Sequence, residues 1–342
     1  MSGAGRPLYG IDAGGSGTCV RAWNGELWSL SSVNPSSVGQ DSSGRSLTDL
    51  FGRIRAHAGQ AGESAGRTCA RPAIWLASAS VDAATAVAEL RSCAAAARTV
   101  GLRAELVVSN DVTPLILDTP PDVGHVVVVC GTGTAFLATN GRAAPVRIGG
   151  CEYLGSDEGS AFDLGLRGLR AAVRGLDGRG QRTALSDLLA AEADEPVPEL
   201  ARRLARTPFP KTAVAALAPI ALRAWLSADA AAAGVVNAVI GELVAGIRAA
   251  RDAAALAPGW HLSVAGGVVT GCPEFFRKLE AAAAGLGTGP VMLVKEPTAV
   301  LLAALAPFAE TDPMKLSDPR IDDDAWYLDL ADRTTDLHGK TD

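Results

Sequence analysis

A glycine-rich strand pattern occurs twice in this chain, with the second copy 116 residues after the first. Each copy reads as a strand, a glycine turn, a second strand, an Asn-Gly turn of the kind found in hairpins, and a third strand. The aligned copies share Gly15 and Gly131, Gly17 and Gly133, Thr18 and Thr134, Ala22 and Ala138, Asn24 and Asn140, and Gly25 and Gly141. This repeat predicts an α/β chain of two lobes, each opening with a three-stranded β-meander.

The elements between and after the meanders fit two α/β lobes. After the first meander, strands are expected at 73–78 and 104–109. Helices are expected near 46–58, 82–100, 157–173, 183–192, 197–206, 212–225, 230–256, 274–284 and 298–305. Two further strands are expected in the segments "WHLSVAGG" and "PVMLVK".

We expect the lobes to divide the chain near residue 112. The N-terminal lobe would take residues 1–112, together with a helix near 297–308 that packs back on it, and the C-terminal lobe would take 113–296. Residues 311–342 are polar and acidic, which predicts a tail that is disordered or packed at the surface and has no chemistry of its own.

Composition excludes several classes of partner and site. A net charge of -6 leaves no general basic surface for nucleic acid. The six cysteines and four histidines are dispersed and form no metal-binding motif, so we expect reduced thiols in a cytoplasmic protein. Charged residues interrupt the Ala-rich region 212–256, so no membrane span is predicted there, and no signal peptide is recognised.

The two glycine turns are candidate phosphate sites, because backbone N–H groups without side chains nearby can approach an anion closely. The first turn comprises Gly14, Gly15, Ser16 and Gly17, and the second comprises Gly131, Thr132 and Gly133. One such turn is weak evidence, but two that converge on a cleft between lobes could hold both ends of a polyphosphate. Asp12 precedes the first turn, whereas the equivalent position in the repeat is Val128. A single acid there suits water-mediated Mg²⁺ binding or simply caps the turn.

Three further segments carry candidate site residues. Asp111, in "SNDV", follows a strand and could be a general base, or it could cap a helix together with Asn110. In "IGGCEYLGSDEGSAFDLG" we expect Ser156 to be the N-cap of a helix, in a glycine-rich loop shaped around a polar ligand. Gly266 and Gly267 follow a strand. They either form a simple turn into a helix or leave a surface against which adenine can lie.

Taken together, "YGIDAGGSGT", "SNDV", "VCGTGT", "GSDEGSAFDLG", "VAGGVV" and "EPTAVLLAAL" resemble, in order and spacing, the N-acetylglucosamine kinases and related BadF/BadG/BcrA-type ATPase-domain proteins. The resemblance covers about residues 8–308. It implies the fold of the sugar kinase, actin and heat-shock chaperone superfamily, with two ribonuclease-H-like lobes around a central ATP cleft. It also implies ATP and Mg²⁺ as cofactors, and a homodimer.

The resemblance implies a role for each candidate residue. The two glycine turns become the ATP phosphate loops, and Asp12 lies near the metal. Asp111 falls on the catalytic base that deprotonates the sugar 6-hydroxyl. Sugar-binding positions correspond to Asn34, Asp111, Thr134, Gly149, Gly150, Glu152 and Asp157. Adenosine-contacting positions correspond to Gly266 and Gly267.

The chain departs from the family pattern in the sugar pocket. A tryptophan that would stack on a pyranose ring is replaced by Cys151, and Glu152 adds an acid that could pair with a free amine. The sequence therefore predicts an ATP-dependent kinase acting on an amino sugar such as N-acetylglucosamine or glucosamine. An amino-cyclitol substrate is a further option. The alternatives are an ATPase that activates a partner enzyme and a sugar sensor without catalysis.

Overall fold

The computed structural model describes residues 6–64, 71–309, 318, 320–322 and 324–331. The strands are β1 (Leu8–Ala13), β2 (Thr18–Ala22), β3 (Leu27–Leu30), β4 (Ala73–Ser78), β5 (Glu105–Ser109), β6 (His125–Cys130), β7 (Thr134–Thr139), β8 (Val146–Gly149), β9 (His261–Ala265), β10 (Val291–Val294) and β11 (Ala325–Asp329).

The helices include thirteen α-helices and three short 3-10 helices among the described residues. The α-helices are α1 (Pro35–Val38), α2 (Gln40–Ser64), α3 (Ala86–Val100), α4 (Glu152–Gly155), α5 (Ala161–Leu176), α6 (Leu185–Ala193), α7 (Val197–Arg206), α8 (Pro210–Ala215), α9 (Ala218–Leu226), α10 (Ala230–Ala253), α11 (Gly267–Gly271), α12 (Pro273–Ala283) and α13 (Pro297–Leu305). The 3-10 helices are Thr113–Asp118, Ala284–Leu286 and Ala306–Ala309.

The chain forms two compact units, each with its own sheet. The first unit takes Met1–Pro121, Gly141–Ala144 and Glu296–Asp342, and the second takes Asp122–Asn140 and Pro145–Lys295. The first boundary therefore lies at residue 121, after the 3-10 helix Thr113–Asp118, and not near residue 112.

The first unit is built on a six-stranded sheet in the order β11-β5-β4-β1-β2-β3. β1, β4 and β5 run parallel, whereas β2, β3 and β11 run antiparallel to their neighbours. All six residues of β4 (AIWLAS) are buried, as expected for a strand covered on both faces. α13 packs on β1, where a Cβ on Gly10 would lie 2.7 Å from the carbonyl oxygen of Thr298.

The second unit has a five-stranded sheet in the order β10-β9-β6-β7-β8. Its central strand β6 (HVVVVC) is a run of buried β-branched residues paired in parallel with β9. α10 covers this sheet and contributes Val236, Val239 and Leu243 to the core. A second apolar cluster joins α5, α6, α7 and α9.

α10 is the one described helix that is long and apolar enough, by length and composition, to cross a membrane. We expected charged residues to exclude a membrane span from the region 212–256. By length and composition alone, that expectation is wrong for α10. In the structure the buried side chains of α10 pack in the core of the second unit.

The strand register corrects the internal alignment of the two meanders by one residue. In the first meander Asp12 pairs with Cys19, one step from the pair Ala13–Thr18. In the second meander the matching step pairs Val129 with Ala135, next to Cys130–Thr134. The second glycine turn is one residue shorter, so the counterpart of Asp12 is Val129 and the predicted Val128 is wrong. A valine still replaces the acid.

Part of the acidic C-terminal segment has regular structure. β11 joins the edge of the first sheet and pairs antiparallel with β5, with Ala325 opposite Ser109 and Asp329 opposite Glu105. Upstream of β11, the buried Arg320 contacts the segment that follows β5. Residues 311–317, 319, 323 and 332–342 of the predicted tail lie outside the described residues.

Candidate functional site

Two acids lie at the carboxyl edge of the first sheet, where open α/β sheets bind ligands. Asp12 is the penultimate residue of β1, and Asp111 comes two residues after β5 ends. Burial, and then the negative charge of Asp111, raises the pKa of Asp12 to about 7. A buried carboxylate with a second carboxylate nearby forms an environment that a divalent cation would stabilise.

These acids match the donor chemistry of magnesium, which is commonly held by one or two carboxylates, with waters and phosphate oxygens completing the octahedron. Among the described residues, no group of three or more His, Cys, Asp or Glu side chains is placed to hold a metal ion. A resident all-protein cage is therefore not seen in this part of the chain. Asp12 with its neighbour Asp111 fits an ion that arrives with a polyphosphate.

The segment around Asp111 is fixed by the preceding residue. Asn110 donates from Nδ2 to the carbonyl oxygen of Val81 at 2.8 Å and accepts from the Val112 N–H at 3.2 Å. The 3-10 helix Thr113–Asp118 begins after Val112, which provides no side-chain cap. Asn110 therefore shapes the loop that carries Asp111, and Val112 is the N-cap residue of the following 3-10 helix.

The first glycine turn has glycines that packing does not demand. A Cβ on Gly14 would lie 3.6 Å from the nearest atom and one on Gly17 would lie 3.4 Å away, which are near-ordinary contacts. Neither residue has a positive φ angle. The Ser32 hydroxyl donates to the Gly14 carbonyl at 2.9 Å and holds the turn. The absence of side chains here therefore suits the approach of a ligand better than it suits packing.

Asn34 lies just beyond β3, where it caps α1. Its Oδ1 accepts from the Ser36 N–H at 2.9 Å, and its own N–H donates to the Ser32 hydroxyl at 3.1 Å. No hydrogen bond of its Nδ2 is seen among the described residues. This buried side chain keeps an amide donor for a ligand while its oxygen stabilises the loop.

The second glycine turn is held by the buried Asp157. The Asp157 Oδ1 accepts from the Thr134 N–H at 2.8 Å, and a Cβ on Gly133 would lie 2.5 Å from the same oxygen. The carbonyls of Gly131 and Thr132 accept from the first turn of α5, at 2.9 and 3.2 Å. The Thr134 Oγ1 is buried and has no hydrogen-bond partner. A water or an ion beside the turn would satisfy this hydroxyl.

The loop before α5 has an unusual backbone. Glu152 and Asp157 have φ angles of 63° and 74°, a region that residues other than glycine seldom adopt, and Gly149, Gly150 and Gly159 also have positive φ. Strained backbone of this kind is found mainly at functional sites. The predicted helix start is wrong, because Ser160 is the N-cap of α5 and Ser156 follows the short helix α4. Positive φ at Asp157 prevents the helix from starting there.

Lys211 is a site residue that the sequence did not reveal. Its Nζ lies 2.8 Å from the Asp157 Oδ2 and 3.1 Å from the Glu152 Oε2. Partial burial lowers the pKa of Lys211, but the hydrogen bonds and charges of Asp157 and then Glu152 outweigh it, so the pKa is raised. Because Lys211 is 59 residues beyond Glu152 at the start of α8, no local pattern signals the contact.

Gly266 and Gly267 differ in their structural demands. Gly266 has a φ of 109°, and a Cβ there would collide with the carbonyl oxygen of Cys130. Gly267, the first residue of α11, has no atom within 4 Å of its virtual Cβ. The glycine at 266 is therefore explained by packing, whereas the open surface at 267 is compatible with a flat ligand.

Comparison with solved structures establishes the fold. A candidate N-acetylglucosamine kinase from Porphyromonas gingivalis superposes with a TM-score of 0.66 at 17% identity and covers 88% of this chain and 98% of that chain. A candidate N-acetylglucosamine kinase from Chromobacterium violaceum gives 0.62 at 20% identity, over 88% and 99%. A MamK double helical filament gives 0.53 at 14% identity, over 90% and 100%. The predicted two-lobed, actin-like ATPase fold is confirmed.

Sequence comparison identifies the family. An N-acetylmuramic acid/N-acetylglucosamine kinase from Clostridium acetobutylicum is 25% identical over 177 residues, which are 50% of this chain and 57% of that relative. The chain thus matches little more than half the length of this curated relative. The model of the BadF/BadG/BcrA/BcrD ATPase family matches residues 9–278. The matched residues include both glycine turns, Asp12, Asp111 and the strained loop. Because the match covers more than half of the chain, the chain belongs to the BadF/BadG/BcrA/BcrD ATPase family.

Proposed function

We propose that this protein is an ATP-dependent kinase that phosphorylates a hydroxyl of an amino sugar, with the 6-hydroxyl as acceptor. The observation that carries the proposal is the coupled pair Asp12 and Asp111 at the carboxyl edge of the first sheet. Phosphoryl transfer needs one group that orients and deprotonates the acceptor and one that binds the cation of ATP. The names of the related kinases support the same chemistry.

In the proposed reaction Asp111 accepts the proton of the sugar hydroxyl while the hydroxyl oxygen forms a bond to the γ-phosphorus. The bond from that phosphorus to the bridging oxygen of ADP breaks, and ADP leaves with the electron pair. Backbone N–H groups of Gly14, Gly15 and Ser16 are the proposed contacts to the phosphates of ATP in the first unit. Asp12 would hold Mg²⁺ through water, and the bound ion would neutralise phosphate charge.

The proposed substrate is an N-acetylated sugar, and the acids of the strained loop bear on whether a free amine would compete with it. Glu152, the candidate partner for a substrate ammonium group, is already paired with Lys211. Lys211 also neutralises Asp157, so this part of the site carries one cation for two carboxylates. A cluster of one cation and two carboxylates does not repel a cationic sugar, so the proposed preference for an N-acetyl group rests on the names of the related kinases. The amide of Asn34 is the proposed polar contact.

A substrate panel tests the proposed function. ADP release with Mg·ATP is expected to rise at least about tenfold over the sugar-free rate with N-acetylglucosamine or N-acetylmuramic acid, because correct positioning of the acceptor dominates phosphoryl transfer. Glucosamine, glucose and cyclitols are expected to be weaker. Tight binding of a sugar without any release of ADP would replace this proposal with a sugar sensor. Stimulation by glucosamine alone would overturn the preference for an N-acetyl group.

Substitutions at two neighbouring glycines test the proposed adenosine contact. Gly267→Ala is expected to raise the KM for ATP several-fold and leave the melting temperature unchanged, because the added methyl group meets only the ligand. Gly266→Ala is expected to unfold the protein at lower denaturant concentration, since its Cβ collides with the Cys130 carbonyl. An unchanged KM in Gly267→Ala would place adenine elsewhere. A homodimer in the cytoplasm remains a prediction of the family resemblance.

A further inference from the structure

The C-terminal segment contacts the chain on both sides of Asp111. Before Asp111, β5 pairs along its whole length with β11, and Ser109 lies opposite Ala325. After Asp111, the 3-10 helix Thr113–Asp118 is contacted by Arg320. Asp111 therefore lies in a short connection whose two ends are held by the same part of the chain.

Arg320 makes a dense set of contacts for a residue in an acidic terminal region. It is only 6% exposed, and its Nη1 donates to the carbonyl oxygens of Thr119 at 2.7 Å and Ile116 at 3.3 Å. Its Nε and Nη2 bind the Asp318 carboxylate at 2.9 and 2.7 Å. The Arg320 guanidinium group thus donates hydrogen bonds to carbonyl oxygens at the C-terminal end of the 3-10 helix. The carboxylate of Asp318 neutralises its charge.

We propose that the described residues of this segment, 318, 320–322 and 324–329, form a strap that positions Asp111 for catalysis, and that Arg320 is its principal positioning residue. The inference rests on the proposed function, in which Asp111 is the base. A shift of about 1 Å in a catalytic group can reduce turnover by about 10²-fold, so anchoring both ends of a short connection has a kinetic effect. The strap lies beyond residues 9–278 matched by the family model, so it is a feature of this chain that the family pattern does not describe.

The chain offers a matched control at the other end of the same strand. Asp329 of β11 forms an ion pair with Arg71, opposite Glu105 and at the end of β5 farthest from Asp111. Arg320→Met removes the anchor near Asp111, and Arg71→Met removes the anchor at the distant end. Both variants lose one arginine and one ion pair of the strap, but Arg71 is more exposed than Arg320, so the melting temperature of each variant is measured to separate a general loss of stability from a local effect.

The test compares kcat, the KM for ATP and amide hydrogen exchange in the full-length variants. Arg320→Met is expected to lower kcat by about tenfold or more, consistent with a displaced base, with the KM for ATP changed less than about twofold. Exchange should become faster for amides 112–119 only. Arg71→Met is expected to keep the wild-type kcat. Amide exchange at residues 112–119 should stay as slow in this variant as in the wild type. Arg320→Lys, which keeps the charge, should recover part of the kcat and serves if the methionine variant does not fold.

Three outcomes would overturn the strap proposal. The first is a wild-type kcat in Arg320→Met while Asp111→Asn is inactive, and the second is an equal loss of kcat in Arg71→Met. The third is unchanged amide exchange at residues 112–119 in both Arg320→Met and Arg320→Lys. The first of these leaves the kinase proposal intact. Normal turnover in Asp111→Asn would instead overturn the role of Asp111, and the strap proposal with it. The two failures are therefore distinguishable in one set of proteins.

Discussion

Replacing Asp111 with asparagine is expected to reduce kcat by about 10²–10⁴-fold, the range for loss of a general base. The side chain keeps its size, so the loop held by Asn110 should keep its shape. The negative charge that adds to the effect of burial on Asp12 also disappears, so the pKa of Asp12 should fall below about 7 but stay above its ordinary value, because burial is the larger cause. ATP binding should persist, as measured by calorimetry. Sugar-dependent ADP release measures the loss of turnover in the same variant.

The control for this experiment is Asp118→Asn, which changes an exposed carboxylate at the end of the following 3-10 helix. It should keep near-normal turnover, because Asp118 lies at the far end of that helix from the proposed base. Near-normal turnover in Asp111→Asn would show that another group, or the substrate phosphate itself, takes the proton. Loss of ATP binding in that variant would mean that Asp111 acts on the cation and not on the sugar.

Asp157→Ala is expected to lower the free energy of unfolding by about 3 kcal/mol, the cost typical of breaking a buried ion pair. The change leaves the Nζ of Lys211 with the exposed Glu152 alone and removes the acceptor of the Thr134 N–H. Urea denaturation measures the loss. Sugar binding should weaken in parallel, because the second glycine turn and the strained loop are both tied to this carboxylate.

Two comparisons separate the buried pair from its exposed partner. Glu152→Gln should cost less than about 1 kcal/mol, as for other exposed ion pairs. The double variant Asp157→Asn/Lys211→Met should be less destabilised than the sum of its single changes, because each single change leaves the other group buried without its partner. Additive costs would show that Asp157 and Lys211 contribute independently, and the ion pair would then not hold the turn.

Local patterns in the sequence were sufficient for the meanders and their turns. Alternation of apolar residues, the Asn-Gly pairs and the β-branched run of β6 predicted strands that the structure contains, and β4 has its predicted bounds of 73–78. The helix predicted over 212–225 is divided into α8 and α9, and Pro219 lies near the start of α9. Proline is tolerated in the first turn of a helix but lacks the N–H that an uninterrupted helix would need.

Contacts between residues that are far apart along the chain could not be predicted from the sequence. The one-residue difference between the glycine turns is seen only when hydrogen-bond register assigns Asp12 and Val129 to the same place. Lys211 and Arg320 have no periodicity or spacing that links them to the segments they contact. The N-cap at Ser160 was missed because positive φ at Asp157, set by its tertiary partners, displaces the helix start.

The edge position of β11 also bears on how the protein behaves when shortened. The family match and the last helix invite an expressed fragment that ends near residue 309. Such a fragment would expose the backbone of β5, a strand of sequence ELVVS with four buried residues, as a bare sheet edge. Uncovered apolar edges pair with strands of other molecules. Aggregation of a fragment trimmed in this way would therefore report a missing edge cover and not an unstable core.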